Sequence, residues 1–175
     1  MNGDGYSLHL LDEETSEDPC IIGPGLIFVY MGDWTVGGRK LNVGQGFELT
    51  HATDVIGDGL LAVAELDERP TITDSGGIRE CAVVRNDKNW GYELETVSQA
   101  QKVQLKLLHV LPGHRTSLQY HVHKDEVIIF FDGSQDSVHY AAGDVHRVTG
   151  PAWYFEASTF FPDDVIRIED DYGRS

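Results

Sequence analysis

Short apolar or alternating runs of four to seven residues recur along the chain and are cut by glycine: LIFVYMGDWTVGG, KLNVGQGFEL and LLAVAEL, then SLQYHVH, EVIIFF, SVHYAAGDVHRV, AWYFEA and VIRIED. Alternation with a period of two places successive side chains on opposite faces of an extended strand. Many short strands punctuated by glycine turns predict an antiparallel sandwich or barrel, with about five strands in each half. The nineteen glycines fit that reading, because glycine takes up the positive φ that tight turns need. The one helix-like stretch, ELETVSQAQKVQL (93–105), is rich in β-branched residues and is followed by KLLHVLPG, so it too reads as strand or loop.

Three segments follow from shifts in composition. Residues 1–19 carry six acids and end in DPC, which predicts a loose acidic arm. Residues 20–84 form a β-rich N-terminal half, and the polar, glycine-rich TITDSGGIRE (71–80) precedes a boundary near Arg85. Residues 85–175 form the second half. GDWTVGGRKLNVGQGF (32–47) and FFDGSQDSVHYAAGDVHRV (130–148) read alike as hairpin followed by glycine turn, a degenerate repeat in which only the second copy keeps histidines.

Charge narrows the partners. The chain of 175 residues has 29 acidic and 13 basic residues, a formal net charge of −16, and no local basic patch, which argues against a nucleic-acid backbone. The excess is uneven: residues 1–84 hold 15 acids and 4 bases, residues 85–175 hold 14 and 9, so the second half is the better home for an anionic substrate. The apolar runs are too short and too broken by Gly and Pro to span a bilayer as a helix, and the N-terminus lacks the basic start and apolar stretch of a signal peptide. Cys20 and Cys81 offer no disulfide framework and read as inert thiols. A cytoplasmic protein is expected, and its partly apolar strand edges suggest a homodimer.

Candidate chemistry concentrates in PGHRTSLQYHVHKDE (112–126). On a regular strand Gln119, His121 and His123 share one face. Glu126 then needs a bend or bulge, expected at Lys124 and Asp125, to return to that face. His146 follows the turn AAGDV (141–145), where Gly143 can swing a second strand alongside. Together these residues offer a mixed nitrogen and oxygen shell suited to one divalent ion (Zn, Mn, Fe, Co or Ni), with positions left for water or substrate. His9, His51, His109, His114 and His139 read as packing or surface histidines.

From about residue 86 onward the sequence resembles the cupins, specifically those of type II mannose-6-phosphate isomerases and of the C-terminal domain of mannose-1-phosphate guanylyltransferases. KNWGYE (88–93) resembles the family's entry segment, with Asn89 where proline is usual. KLLHVLPGHRTSLQYHVHKDE (106–126) resembles the Pro-Gly turn, the Ser-Leu-Gln strand and the His-x-His-x-x-Glu ligands. AAGDVHRV (141–148) resembles the second cupin motif, PAWYFEA (151–157) a strand carrying a glutamate into the barrel, and DDVIRIEDDYGR (163–174) the family's ending. The resemblance implies a cupin-type jelly-roll barrel, a degenerate bicupin if the first half is a metal-free copy. It also implies metal ligands at His121, His123, Glu126 and His146, with Gln119 an alternative ligand. Glu156 and Arg167 match positions near the pocket. The implied activity is aldose-ketose isomerisation of a sugar or sugar phosphate, with Glu156 moving a proton and Lys124, Arg167 or Arg174 receiving a phosphate. Trp90 would offer a stacking wall. A non-catalytic sugar-binding module and an Fe(II)-dependent oxygenase are the competing readings. The chain departs from the family between EVIIFF and the second motif, where DGSQDSVHYA (132–141) replaces a further hairpin.

Overall fold

The computed structural model describes residues 3, 5–11, 20–67, 77–131 and 137–174. Among these residues there are fifteen strands, paired antiparallel throughout, and no helix long and apolar enough to cross a membrane. The fold is all-β.

The first sheet holds β1 (Tyr6–Leu11), β2 (Cys20–Ile22), β3 (Gly25–Val36), β4 (Arg39–Leu41), β5 (Gly46–Leu49), β6 (Thr53–Leu66) and β7 (Ile78–Cys81), in the order β1-β6-β3-β5-β7, with β2 on β6 and β4 on β3. The second holds β8 (Val84–Lys88), β9 (Gly91–Ser98), β10 (Val103–Val110), β12 (Glu126–Phe130), β13 (Ser137–Tyr140) and β14 (Ala152–Thr159), in the order β13-β12-β14-β10-β9-β8. A two-stranded ribbon of β11 (Leu118–His121) and β15 (Val165–Glu169) completes the structure.

Residues 6–11 were expected in a loose arm. They instead form β1, paired with β6 from Tyr6↔Leu66 to Leu11↔Leu61, with Tyr6 and Leu8 buried. YSLHLL alternates, and its two large apolar residues enter the core, which outweighs the acidic character of the flanking sequence. The remainder of that expected arm, residues 12–19, lies outside the described residues. Of the polar, glycine-rich stretch 71–80, residues 71–76 lie outside them too and residues 78–80 belong to β7; the DGSQD segment at 132–136 is also outside. The segment 93–105 is strand β9, a turn and the start of β10, as its β-branched residues required.

Alternation makes the second sheet two-faced. Val103, Leu105 and Leu107 of β10, Phe155 and Ala157 of β14, and Val127 and Ile129 of β12 point toward the first sheet, where Tyr6, Leu8, Leu26, Phe28, Ala62 and Ala64 meet them in one apolar layer. The intervening positions face the other way, toward the β11–β15 ribbon. At one end these are apolar: Trp90, Leu108, Val110, Ile128, Val148 and Tyr154. At the other end they are charged, and between sheet and ribbon lies a cavity of about 330 Å³ lined by both, Trp90, Leu108, Ile128, Val148 and Tyr154 on the apolar side included. The first sheet has its own interior on its far side, around Trp34, Phe47, Leu61 and Val63. Among the described residues, none before Lys88 lines the cavity.

Candidate metal centre

Two strands and a segment bridged to one of them bring the donors together. His121 ends β11, Glu126 begins β12, and His146 is held beside β11 by a reciprocal backbone pair with Gln119, at 3.0 Å and 2.8 Å. Gly143, with φ of 92°, supplies the predicted tight turn, and its N–H donates to the His121 carbonyl at 2.7 Å. The donor atoms of His121, Glu126 and His146 lie within 4.8 Å of one another, and all three residues are buried.

The two imidazoles are oriented from behind. His121 Nδ1 lies 3.1 Å from the Asp164 carbonyl and His146 Nδ1 lies 3.0 Å from the Asp144 carbonyl. A carbonyl only accepts, so each Nδ1 carries the proton and each Nε2 turns a lone pair inward, the usual support for a metal-bound histidine. Inside the cluster His121 Nε2 is 3.3 Å from Glu126 Oε1 and His146 Nε2 is 3.0 Å from Glu126 Oε2. Buried His121 Nε2 and Glu126 Oε2 nonetheless complete no hydrogen bond. Buried polar atoms left so are costly, and a divalent cation among them removes the cost. Two imidazole nitrogens and a carboxylate form a donor set suited to such an ion. The residues present fit the metal.

His123 does not join them, contrary to the expected four-ligand set. The bend that returns Glu126 to the inner face begins at Val122 and His123, earlier than the expected Lys124 and Asp125. There the Asp164 carboxylate accepts the backbone N–H of Val122 at 3.3 Å, His123 at 2.8 Å and Lys124 at 2.7 Å. Desolvation is the largest single effect on the Asp164 carboxyl and raises it, but the three N–H bonds together outweigh it and hold the carboxyl below its ordinary range. The bend breaks alternation, so His123 is exposed against the Phe161 ring and Lys124 points inward.

Lys124 was expected to meet substrate phosphate. Its ammonium instead lies between two carboxylates, 2.5 Å from Glu126 Oε1 and 3.2 Å from Glu156 Oε1. Burial disfavours this ammonium, but Glu156 and Glu126 outweigh it and raise its pKa. The converse holds at Glu126: burial resists its ionisation, yet Lys124 and the adjacent imidazoles of His121 and His146 take its pKa well below the usual carboxylate range. At His146 burial opposes protonation, and Glu126 with the Asp144 carbonyl reverses the sign and raises the pKa.

The pairing continues across the sheet. Glu156 is also 3.9 Å from Lys106, Lys106 is 3.9 Å from Glu93, and Glu93 is 3.1 Å from Lys88 at the outer rim. Burial raises and the two lysines lower the Glu93 pKa, with a net lowering. The cross-strand register explains the row, since Glu95, Lys106 and Glu156 stand opposite one another on β9, β10 and β14. Charged side chains are seldom buried unless paired: Glu93, Lys106 and Glu156 pair in turn, while Glu95 is instead met by the side-chain amides of Asn86 and Gln104.

The other expected residues line the same cavity. Gln119 does so with its Oε1 accepting the Ser117 hydroxyl at 2.7 Å. Arg167 reaches it from β15, paired in register with Gln119. Arg174 lines it while its guanidinium is tied to Asp170 through Nε at 3.0 Å and Nη2 at 2.5 Å. Trp90 is buried in the apolar end of the wall. Sequence reasoning missed Asp164 and Lys106. Asp164 acts through a contact some forty residues distant in sequence, and nothing in DDVIRIE signals it. The alternation of β9, β10 and β14 could have exposed Lys106, because QLKLLHV places a lysine in the middle of an apolar strand.

No family model matches the chain, and no curated protein matches it. Solved structures of similar architecture do. They include a cupin 2 conserved barrel domain protein from Leptotrichia buccalis (13% identity, 89% of this chain and 83% of that one, TM-score 0.47). Ylba from E. coli is 10% identical, with 90% and 83% covered and a TM-score of 0.47. The oxalate decarboxylase of Lactobacillus farciminis is 13% identical, with 94% and 84% covered and a TM-score of 0.41. These are likenesses of fold, and no residue or activity is carried across from them.

Proposed function

We propose that the chain is a divalent-metal-dependent enzyme acting on a small polyhydroxylated substrate, by aldose-ketose isomerisation of a sugar or sugar phosphate. The observation that carries this reading is Glu156: a second buried carboxylate in the cavity of the His121–Glu126–His146 cluster, linked to it by one shared ammonium. An ion held by those three residues would supply Lewis-acid polarisation of a carbonyl. The protein must then supply a base, and Glu156 fits that part, taking a proton from the carbon beside the carbonyl and returning it to the neighbouring carbon. The ammonium groups of Lys124 and Lys106 both approach its Oε1, at 3.2 Å and 3.9 Å, and leave Oε2 to meet the substrate proton.

Charge supports an anionic or strongly polar substrate. Lys88, Lys106, Lys124, Arg167 and Arg174, five of the chain's 13 basic residues, line this one cavity against six acidic residues, whereas the chain as a whole carries 29 acids. A wall that is close to neutral, before any cation is added, sits inside a strongly acidic molecule. Its volume lies at the low end of small-molecule sites, roughly 300–1,000 Å³.

The test is interconversion of hexose, pentose and sugar-phosphate pairs by metal-loaded protein in D₂O. Deuterium should enter the carbon beside the carbonyl, and Glu156→Gln should cut turnover by about 10²-fold or more while metal content stays. Failure to interconvert any such pair removes the reading. One observation favours a second: two histidines with one carboxylate is also the donor set of Fe(II) oxygenases. Substrate-dependent oxygen uptake by the Fe(II)-loaded protein would select it.

A further inference from the structure

We infer that Lys124 restricts Glu126 to ligation of the metal through one oxygen, Oε2, and weakens metal binding in doing so, thereby keeping a coordination position open. The inference rests on the metal reading above and on no particular reaction.

A carboxylate can offer a cation one oxygen or both. Which it does depends on what else each oxygen accepts. Glu126 Oε1 already receives the Lys124 ammonium at 2.5 Å, a short charge-assisted hydrogen bond. Glu126 Oε2 completes no hydrogen bond and faces His146 Nε2 at 3.0 Å. The two oxygens of one carboxylate are therefore in unlike states before any ion arrives.

Lys124 has little freedom to leave. Its backbone N–H is fixed by Asp164 Oδ2 at 2.7 Å, its side chain is 8% exposed, and its ammonium is also held by Glu156 at 3.2 Å. Withdrawing it would strand a buried charge and leave two carboxylates facing one another. An ion entering the cluster thus finds two imidazoles and a single carboxylate oxygen. On an octahedral ion that leaves three positions for solvent or substrate, where a two-oxygen carboxylate would leave two. The same ammonium repels a divalent ion a few ångströms away, so the site trades affinity for access. This gives Lys124 a positioning role, in place of the substrate contact expected from sequence.

Crystal structures and Co(II) titrations of the wild type, Lys124→Met and Lys124→Arg test the inference. Met keeps most of the volume and removes the charge, and Arg keeps a cationic donor. In the Co(II)-loaded wild type one Glu126 oxygen should lie within bonding distance. In Lys124→Met both should, with Co(II) bound at least about tenfold more tightly. Lys124→Arg should resemble the wild type, and it keeps the test alive if the Met variant does not fold. Two-oxygen ligation in the wild type with Lys124 turned away overturns the inference, as does unchanged ligation and affinity in Lys124→Met. A wild type that takes up no Co(II) overturns the metal reading itself. A protein that binds Co(II) through one Glu126 oxygen yet isomerises no sugar upholds the inference and removes only the isomerase reading.

Discussion

Asp164 accepts three consecutive backbone N–H groups, and in doing so it selects which side chains enter the cavity. With the bend at Val122–His123 in place, His121 and Glu126 face inward on either side of it, Lys124 follows them, and His123 faces solvent. Replacing Asp164 with Ala leaves three N–H groups to solvent and loosens the spacing between two ligands. Metal affinity, read by competition with a chelator, should fall about 10- to 100-fold, the range found when groups supporting metal ligands are removed. His121, Glu126 and His146 were legible in the sequence because their spacing on strands and turns is local. His123 was not, because its orientation depends on a carboxylate 41 residues away that accepts its N–H. The role of Lys124 was hidden for the same reason: QYHVHKDE marks it as a charged residue near a turn, and only the bend makes it a buried one.

At the scale of elements, the long β3–β6 ribbon bends where the register shifts between Val29 and Met31, next to Gly32 and Gly59, which stand opposite one another. Their φ angles are 88° and 110°, and a Cβ on Gly32 would lie 1.9 Å from the Asp58 carbonyl oxygen. Gly32→Ala should therefore destabilise the fold by about 1–3 kcal/mol, measured by urea denaturation, while leaving the metal cluster, on other strands, intact. The strands themselves were legible, since alternation is a local signal. The bulge was not, because GDWT reads equally well as a turn. The C-terminal segment after β15 is closed by the Asp170–Arg174 pair, and the hydrogen bonds from Arg174 take the Asp170 carboxyl down to about 2 against the opposing effect of desolvation. A folded value below the unfolded one, about 3.9, means that this contribution is full above the unfolded value and is lost as pH falls through the folded one. Between pH 5 and pH 2 the wild type should lose a stability increment that Asp170→Asn does not have to lose.

For the whole molecule, the apolar layer between the sheets joins the sequence's two halves, and β1 contributes to it directly. Tyr6 donates from its hydroxyl toward the Asp125 carbonyl at 3.1 Å and the Ala157 carbonyl at 3.0 Å, immediately behind Glu126. The first strand thus braces the back of the site although it lines none of it. Leu8, fully buried in that layer, should cost about 2–5 kcal/mol when replaced by Ala, seen as a lower thermal midpoint. The acidic composition around β1 masked this packing role, while the alternation of YSLHLL carried it. The all-β antiparallel class was legible from the spacing of strands and glycines, and the closing of the second sheet by a separate ribbon was not, because β11 and β15 are nearly fifty residues apart and pair only in three dimensions.

Elemental analysis of purified protein, carried out on the wild type and four single alanine variants, bears most directly on the metal centre. About one divalent ion per chain should be found in the wild type and in His123→Ala, and it should be lost from His121→Ala, Glu126→Ala and His146→Ala. Metal retained in full by all three of those variants, or lost from His123→Ala alone, would contradict the account.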